Sequence, residues 1–128
     1  NWGFLVNKKS KTAEFSPIYD CGSCLNSMLE DDELRNISHT DLKNIALNCY
    51  SCIKENGKKI NYMSYISKTE NQECNNALLR VFRNIKIEEI DEFLKNITCI
   101  SDIRKEFYKN IIHMRYEILE NTYLEISK

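Results

Sequence analysis

The first part of the chain contains two short extended runs separated by a polar stretch. The runs cover residues 2–6 and 13–18, and the polar stretch covers residues 7–12. Two such runs joined by a turn-like linker predict an antiparallel β-hairpin. Pro17 has no amide donor, so we expect it at the end or edge of a strand. Residues 19–27 are predicted to form a bend and a loop after the hairpin.

From residue 28 onward, apolar residues recur at steps of three and four, which is the spacing of an amphipathic helix. Five helices are predicted from this pattern, over residues 40–54, 62–67, 70–85, 87–97 and 102–126. The last helix carries a wide apolar stripe, which implies burial on more than one side. The predicted fold class is therefore mainly α, with an N-terminal β-hairpin packed on a bundle of about five helices.

Polar residues mark where these helices begin and end. Ser38 or Thr40 is expected to cap the first helix, Thr69 the third and Ser101 the last. Asn56-Gly57 is expected to end the first helix, because such residues tolerate the left-handed conformation that follows a helix.

Length and composition fit one domain. The chain has 128 residues, with only three Gly and one Pro, so we predict a single domain over 1–128. Within it, residues 1–27 would form the hairpin and its loop, and residues 28–128 the helical bundle. The net charge of −1 comes without a basic stripe, which argues against direct binding of nucleic acid. No run approaches the ~18 apolar residues that a membrane span needs, and we expect a cytoplasmic protein without a membrane partner.

Candidate chemistry lies at the two ends of the predicted hairpin. Antiparallel pairing would bring Asn1 and Asp20 together. A carboxylate and an amide carbonyl are oxygen ligands of the kind that Mg²⁺ prefers, and protein kinases hold magnesium with an Asp and an Asn. Asn and Asp are also common turn residues, so the pattern alone leaves a purely structural role open.

The residues around this hairpin resemble a known family. Asn-Trp-Gly-Phe-Leu at 1–5, followed by Phe-Ser-Pro-Ile-Tyr-Asp-Cys-Gly-Ser-Cys-Leu at 15–25, resembles the HipA-like serine/threonine protein kinases. Residues 104–108 and Arg115-Tyr116 resemble a late helix of that family. The resemblance implies the C-terminal lobe of a kinase that transfers the γ-phosphoryl group of ATP to a Ser or Thr of a protein substrate.

The resemblance also implies which residues act and which are absent. Asn1 and Asp20 would bind Mg²⁺ and, through it, ATP. The catalytic Asp of the family precedes the position of Asn1, and the nucleotide-binding lobe lies further upstream. Because the chain opens on Asn1 without a Met, we expect a C-terminal lobe fragment that is truncated at its N-terminus and inactive alone. Its partners would be the missing lobe and a protein substrate. Because family members often act together with an antitoxin protein, the resemblance also implies an antitoxin-type partner.

Two alternatives come from other classes of protein. The neutral, helix-rich remainder is also compatible with a non-enzymatic helical interaction module, such as a kinase relic. The six cysteines include two Cys-x-x-Cys pairs, Cys21 with Cys24 and Cys49 with Cys52, and four such thiolates are a usual zinc set. Cys49 and Cys52 fall within a predicted helix rather than at turns, so ordinary reduced thiols are the preferred interpretation and zinc is not expected.

Overall fold

The computed structural model describes residues 2–22 and 24–128, so the predictions that concern Asn1 lie outside the described residues. A β-hairpin comes first, and most of the remaining chain is helical. The predicted class, mainly α with an N-terminal hairpin ahead of a helical bundle, is confirmed.

The first hairpin consists of β1 (Phe4–Asn7) and β2 (Thr12–Phe15). Phe4 pairs with Phe15, and Asn7 pairs with Thr12. The Asn7 side chain stabilises the turn, because its Oδ1 accepts hydrogen bonds from the amides of Lys9 at 3.0 Å and Ser10 at 3.2 Å. The predicted polar turn thus contains a side chain that binds the backbone amides of the turn.

The apolar side chains of this hairpin pack on one another. The rings of Phe4 and Phe15 lie 4.7 Å apart, and the Trp2 ring lies 6.1 to 6.2 Å from both. All the residues of both strands are exposed, and Phe15 keeps 71% of its surface accessible. This aromatic cluster therefore lies outside the helical core.

The described ranges contain six α-helices, one more than predicted, because the short first helix was not recognised. They are α1 (Asp31–Arg35), α2 (His39–Leu47), α3 (Tyr62–Ser67), α4 (Gln72–Val81), α5 (Ile87–Asn96) and α6 (Asp102–Ile126), with a 3₁₀ turn at Phe82–Asn84. Ser38 and Ser101 cap α2 and α6 as predicted, since their side chains accept from the amides of Asp41 and Arg104. Asn71 caps α4 in place of Thr69, whose φ of 55° breaks the helical geometry.

A second hairpin replaces the end of the predicted 40–54 helix. The helix stops at Leu47, and β3 (Tyr50–Glu55) pairs antiparallel with β4 (Lys58–Asn61). Asn56 and Gly57 have φ of 49° and 78°. Positive φ at both turn positions is what a tight type I′ hairpin requires, and Asn-Gly is its preferred pair. The helical placement of Cys49 and Cys52 was therefore wrong.

The core forms along α6, which packs against α1, α2, α3, α4 and α5. The largest buried cluster comprises Leu34, Leu42, Ala46, Phe107 and Ile111. At the other end of α6, the Phe82 ring lies 5.2 Å from Tyr116 and 4.8 Å from Tyr123. The wide apolar stripe of α6 is thus explained by neighbours on several sides. Among the described residues, no helix combines the length and apolar character that crossing a bilayer demands.

Candidate functional site

Asp20 lies in the loop that follows the first hairpin, five residues beyond the end of β2 at Phe15. The pairing continues past the strands, because the amide of Ser16 donates to the carbonyl of Gly3 at 2.9 Å. Asp20 is exposed and has a φ of 49°, a left-handed conformation that Asp tolerates better than most residues. Its Oδ1 would lie 3.7 Å from a Cβ placed on Gly22. The carboxylate therefore lies next to Gly22, where the absence of a side chain leaves room beside the carboxylate.

The loop after Asp20 is built from local turns. The amide of Cys24 donates to the Cys21 carbonyl at 3.1 Å, and that of Leu29 donates to Asn26 at 3.3 Å. The Ser27 hydroxyl donates to the Gly22 carbonyl. Such short-range bonds give the loop a shape, but they do not fix its place on the helices.

Arg104 attaches the end of this loop to α6. Its Nη2 donates to the Leu29 carbonyl at 2.6 Å, and its Nη1 to the Ser27 carbonyl at 3.3 Å. The same guanidinium binds Asp31 Oδ1, at 3.0 Å from Nε and 2.8 Å from Nη2. A single side chain therefore holds both the loop and the start of α1.

Arg115 binds a part of the same loop that is nearer to Asp20 in the sequence. Its Nη1 donates to the Cys24 carbonyl at 3.0 Å, and its Nε donates to the Ala46 carbonyl at 2.8 Å. Arg104 and Arg115 are about three turns apart on one helix and so lie on the same face. Sequence reasoning missed this function; the signal that was available is the spacing of two Arg on helix α6.

The position of Asp20 suits a magnesium site in which a nucleotide supplies some of the ligands. It suits a site made entirely of protein ligands less well. The described residues contain no group of three or more His, Cys, Asp or Glu side chains that could hold a metal. Mg²⁺ commonly takes only one or two carboxylates, and its other ligands are water and substrate phosphates. An exposed Asp beside a Gly meets that requirement, whereas a structural metal site needs more ligands.

The cysteines provide no support for zinc within the described ranges. All six are free, and Cys21, Cys24 and Cys52 are exposed. Cys49 follows α2 and donates its thiol to the Ala46 carbonyl at 3.1 Å. Cys52 lies on β3, and the four thiols of the two Cys-x-x-Cys pairs do not form a metal-binding group.

A β-hairpin followed by helices that pack on one long helix fits the fold of a kinase C-terminal lobe. The serine/threonine-protein kinase CtkA of Helicobacter pylori strain J99 is 36% identical to this chain over 119 residues, which is 90% of the chain. The crystal structure of the H. pylori proinflammatory kinase CtkA matches 99% of the chain with a TM-score of 0.85 and 32% identity. No protein-family profile matches the sequence.

The chain is thus similar, in sequence and in fold, to part of a serine/threonine kinase. It spans 37% of the length of the curated relative and 48% of the solved chain. The predicted resemblance to serine/threonine kinases is confirmed at that level. The HipA-like assignment and the metal-binding roles remain predictions.

Proposed function

We propose that this chain is the C-terminal lobe of a HipA-like protein kinase, which transfers the γ-phosphoryl group of ATP to a Ser or Thr of a protein. The observation that carries the proposal is the 36% identity over 90% of the chain to a serine/threonine kinase. The TM-score of 0.85 to the solved kinase adds support from the fold.

In this proposal, Asp20 would hold a magnesium ion at the phosphates of ATP, and Asn1 would hold a second ion. Phosphoryl transfer depends mainly on positioning and on neutralising phosphate charge, and bound ions would supply that neutralisation. Arg104 and Arg115 keep the Asp20 loop on α6. The base that orients the acceptor hydroxyl belongs to a part of the kinase outside this chain, so we expect no useful turnover from the chain alone.

The missing lobe is the proposed partner of the first hairpin. Phe4 and Phe15 are 57% and 71% exposed, and Trp2 next to them is 49% exposed. Contiguous exposed apolar surface of this kind commonly marks an interface. The relatives are more than twice as long as the part that this chain matches, which provides a candidate to cover it. The domain boundaries, the antitoxin-type partner and the cytoplasmic location remain predictions.

Phosphotransfer by the full gene product tests the proposal. The protein as its gene encodes it would be incubated with Mg²⁺ and γ-labelled ATP, and label on protein Ser or Thr would be measured. We expect labelling that Asp20→Asn abolishes and that Asp32→Asn, at a fully solvent-exposed acidic residue, leaves intact. Equal labelling by wild type and Asp20→Asn would rule out the metal role of Asp20. A gene product that binds a partner but never transfers label would favour the interaction module.

A further inference from the structure

A cleft of about 740 Å³ lies beside the loop that follows Asp20. Its walls include Cys24 of that loop, Asn44 and Asn48 from the end of α2, Tyr50 of β3, Tyr62 of α3 and Arg115 of α6. The volume is within the range of sites that bind small molecules or several side chains. Five separate parts of the fold meet here, so the cleft is a product of the tertiary structure.

The cleft lies close to the proposed metal. Cys24 is four residues beyond Asp20, which corresponds to at most about 14 Å of extended chain. If Asp20 holds metal-bound phosphate, the acceptor hydroxyl must approach the same place. Residues next to the acceptor Ser or Thr would then reach the cleft.

The charge of the cleft comes from one residue. Among the described residues that line it, Arg115 is the only charged one and none is acidic. A guanidinium has five N–H donors, and the Arg115 bonds to the Ala46 and Cys24 carbonyls use its Nε and one N–H of Nη1. The side chain is half-buried, where an added carboxylate would interact more strongly than in open water.

The remaining walls suit an extended peptide. The amides of Asn44 and Asn48 can both donate and accept hydrogen bonds. Tyr50 and Tyr62 are exposed at the cleft, and Tyr rings provide large contact area at a small cost in conformational entropy.

We propose that this cleft binds the acceptor segment of the protein substrate, and that Arg115 selects segments with a Glu or Asp near the phosphorylated Ser or Thr. The inference rests on the proposed kinase function and adds a substrate class to it. It assigns to Arg115 a second role, beyond its contact with the Asp20 loop.

Peptide binding to the 128-residue chain tests the inference. The probes are two short synthetic peptides, each with one Ser, which differ only in having Glu or Gln on either side of it. Amide resonances of Cys24, Asn44, Cys49 and Met63 would be followed by NMR during titration. We expect the Glu peptide to shift them and to bind about two- to fivefold more tightly than its Gln twin, the range of an exposed charge pair.

Variants at Asn44 separate the charge of the cleft from the structural contacts of Arg115. The Asn44 side chain is exposed at the cleft, with no hydrogen bond in the described structure. Asn44→Asp should weaken binding of the Glu peptide about two- to fivefold, and Asn44→Lys should strengthen it by a similar factor. Neither should change binding of the Gln twin by as much. Asn121→Asp, on α6 outside this cleft, is the matched control and should leave both peptides unaffected.

The inference is wrong if the two peptides bind equally, if neither binds, or if Asn44→Asp and Asn121→Asp behave alike. Free glutamate that shifts the same resonances at the same concentration would also overturn it, because the cleft would then be a general anion site. A Mg²⁺ titration of the same samples, read at the Gly22 amide, tests the metal role of Asp20 separately. Peptide binding without a Mg²⁺ response would contradict the metal role of Asp20 and support the peptide-binding role of the cleft. A Mg²⁺ response without peptide binding would support the metal role and contradict the peptide-binding role.

Discussion

Arg104 Nη2 and Asp31 Oδ1 lie 2.8 Å apart, although the two residues are separated by 73 positions in the chain. The Arg104 side chain is only 15% exposed, and the same guanidinium binds the carbonyls of Ser27 and Leu29. The Arg104 side chain therefore joins both the end of the loop that follows Asp20 and the start of α1 to the central helix α6. Its removal affects a backbone segment as well as a charge.

Arg104→Gln should lower the melting temperature by roughly 3–8 °C, because carbonyls of the loop and the Asp31 carboxylate lose their donor together. Arg35→Gln is the matched control. Arg35 contacts Asp32 at 3.7 Å, and both side chains are largely exposed, so little stability should be lost. Thermal unfolding followed by circular dichroism measures both. Equal midpoints for the two variants would contradict the structural role of Arg104.

The stabilising effect of Asp31 should depend on pH. The hydrogen bond with the Ser101 side chain, followed by those with Arg104, holds the pKa of Asp31 below its ordinary value. A lowered carboxyl pKa contributes stability above the unfolded-state pKa of about 3.9, and that stability is lost as the pH falls through the folded-state pKa. Asp31→Asn should therefore lower the melting temperature at pH 7.

Below about pH 4, that difference between wild type and Asp31→Asn should begin to shrink, because the carboxyl of the unfolded wild-type chain then takes up a proton before that of the folded chain does. Melting temperatures of both proteins from pH 7 to pH 3 provide the test. The Asp32 side chain is exposed, so the melting temperature of Asp32→Asn should change with pH in the same way as that of wild type. A difference for Asp31→Asn that does not change over this range would show that the contribution is not electrostatic.

The elements that the sequence predicted best are those with unambiguous ends. Ser38 and Ser101 cap helices as predicted, and the short helix at Tyr62–Ser67 was predicted at its observed bounds. The second hairpin was missed because Cys49 and Ile53 continue the helical spacing of α2 by coincidence. Asn56-Gly57 was interpreted as a helix end, although the same pair is a strong signal for a hairpin turn.

The site could be predicted only in part. The sequence pattern placed Asp20 just beyond a hairpin, and in the structure Asp20 follows β2, which ends at Phe15. The contacts of Arg104 and Arg115 could not be predicted, because their acceptors are mostly backbone carbonyls far away in the sequence. A carbonyl is present at every residue, so the sequence gives no sign of which one an arginine reaches.

The turn of the second hairpin makes Gly57 sensitive to substitution. A Cβ at Gly57 would meet no atom within 4 Å, but its φ is 78°. Gly57→Ala should thus cost about 1 kcal/mol through backbone strain alone. Gly3→Ala is the control, because its Cβ would make only ordinary contacts of 3.8 and 3.9 Å, and it should change stability by less than about 0.5 kcal/mol. Urea unfolding and amide exchange in 50–61 measure the effect, and equal stabilities of the two variants would contradict it.

Ile111 is the largest fully buried side chain among the described residues. It is 0% exposed and packs in the cluster with Leu34 and Phe107. Ile111→Ala should lower the free energy of unfolding by about 2–5 kcal/mol, since it removes buried methyl groups and leaves a cavity. Leu124→Ala on the same helix is the control, because Leu124 is 55% exposed. Urea unfolding should separate the two variants clearly, and similar losses would mean that the described core is wrong.

Magnesium binding by the isolated chain should depend on Asp20 and be weak. One exposed carboxylate without a nucleotide offers few of the ligands that Mg²⁺ needs, so saturation should require millimolar ion, and Mg-ATP should not raise the melting temperature by several degrees. Asp20→Asn should abolish the Mg²⁺-induced shift of the Gly22 amide in NMR spectra, whereas Asp32→Asn should preserve it. An unchanged response in Asp20→Asn would place the ion elsewhere. A large thermal shift with Mg-ATP would show that this chain alone already contains most of the nucleotide site, contrary to the proposed division of the kinase between two lobes.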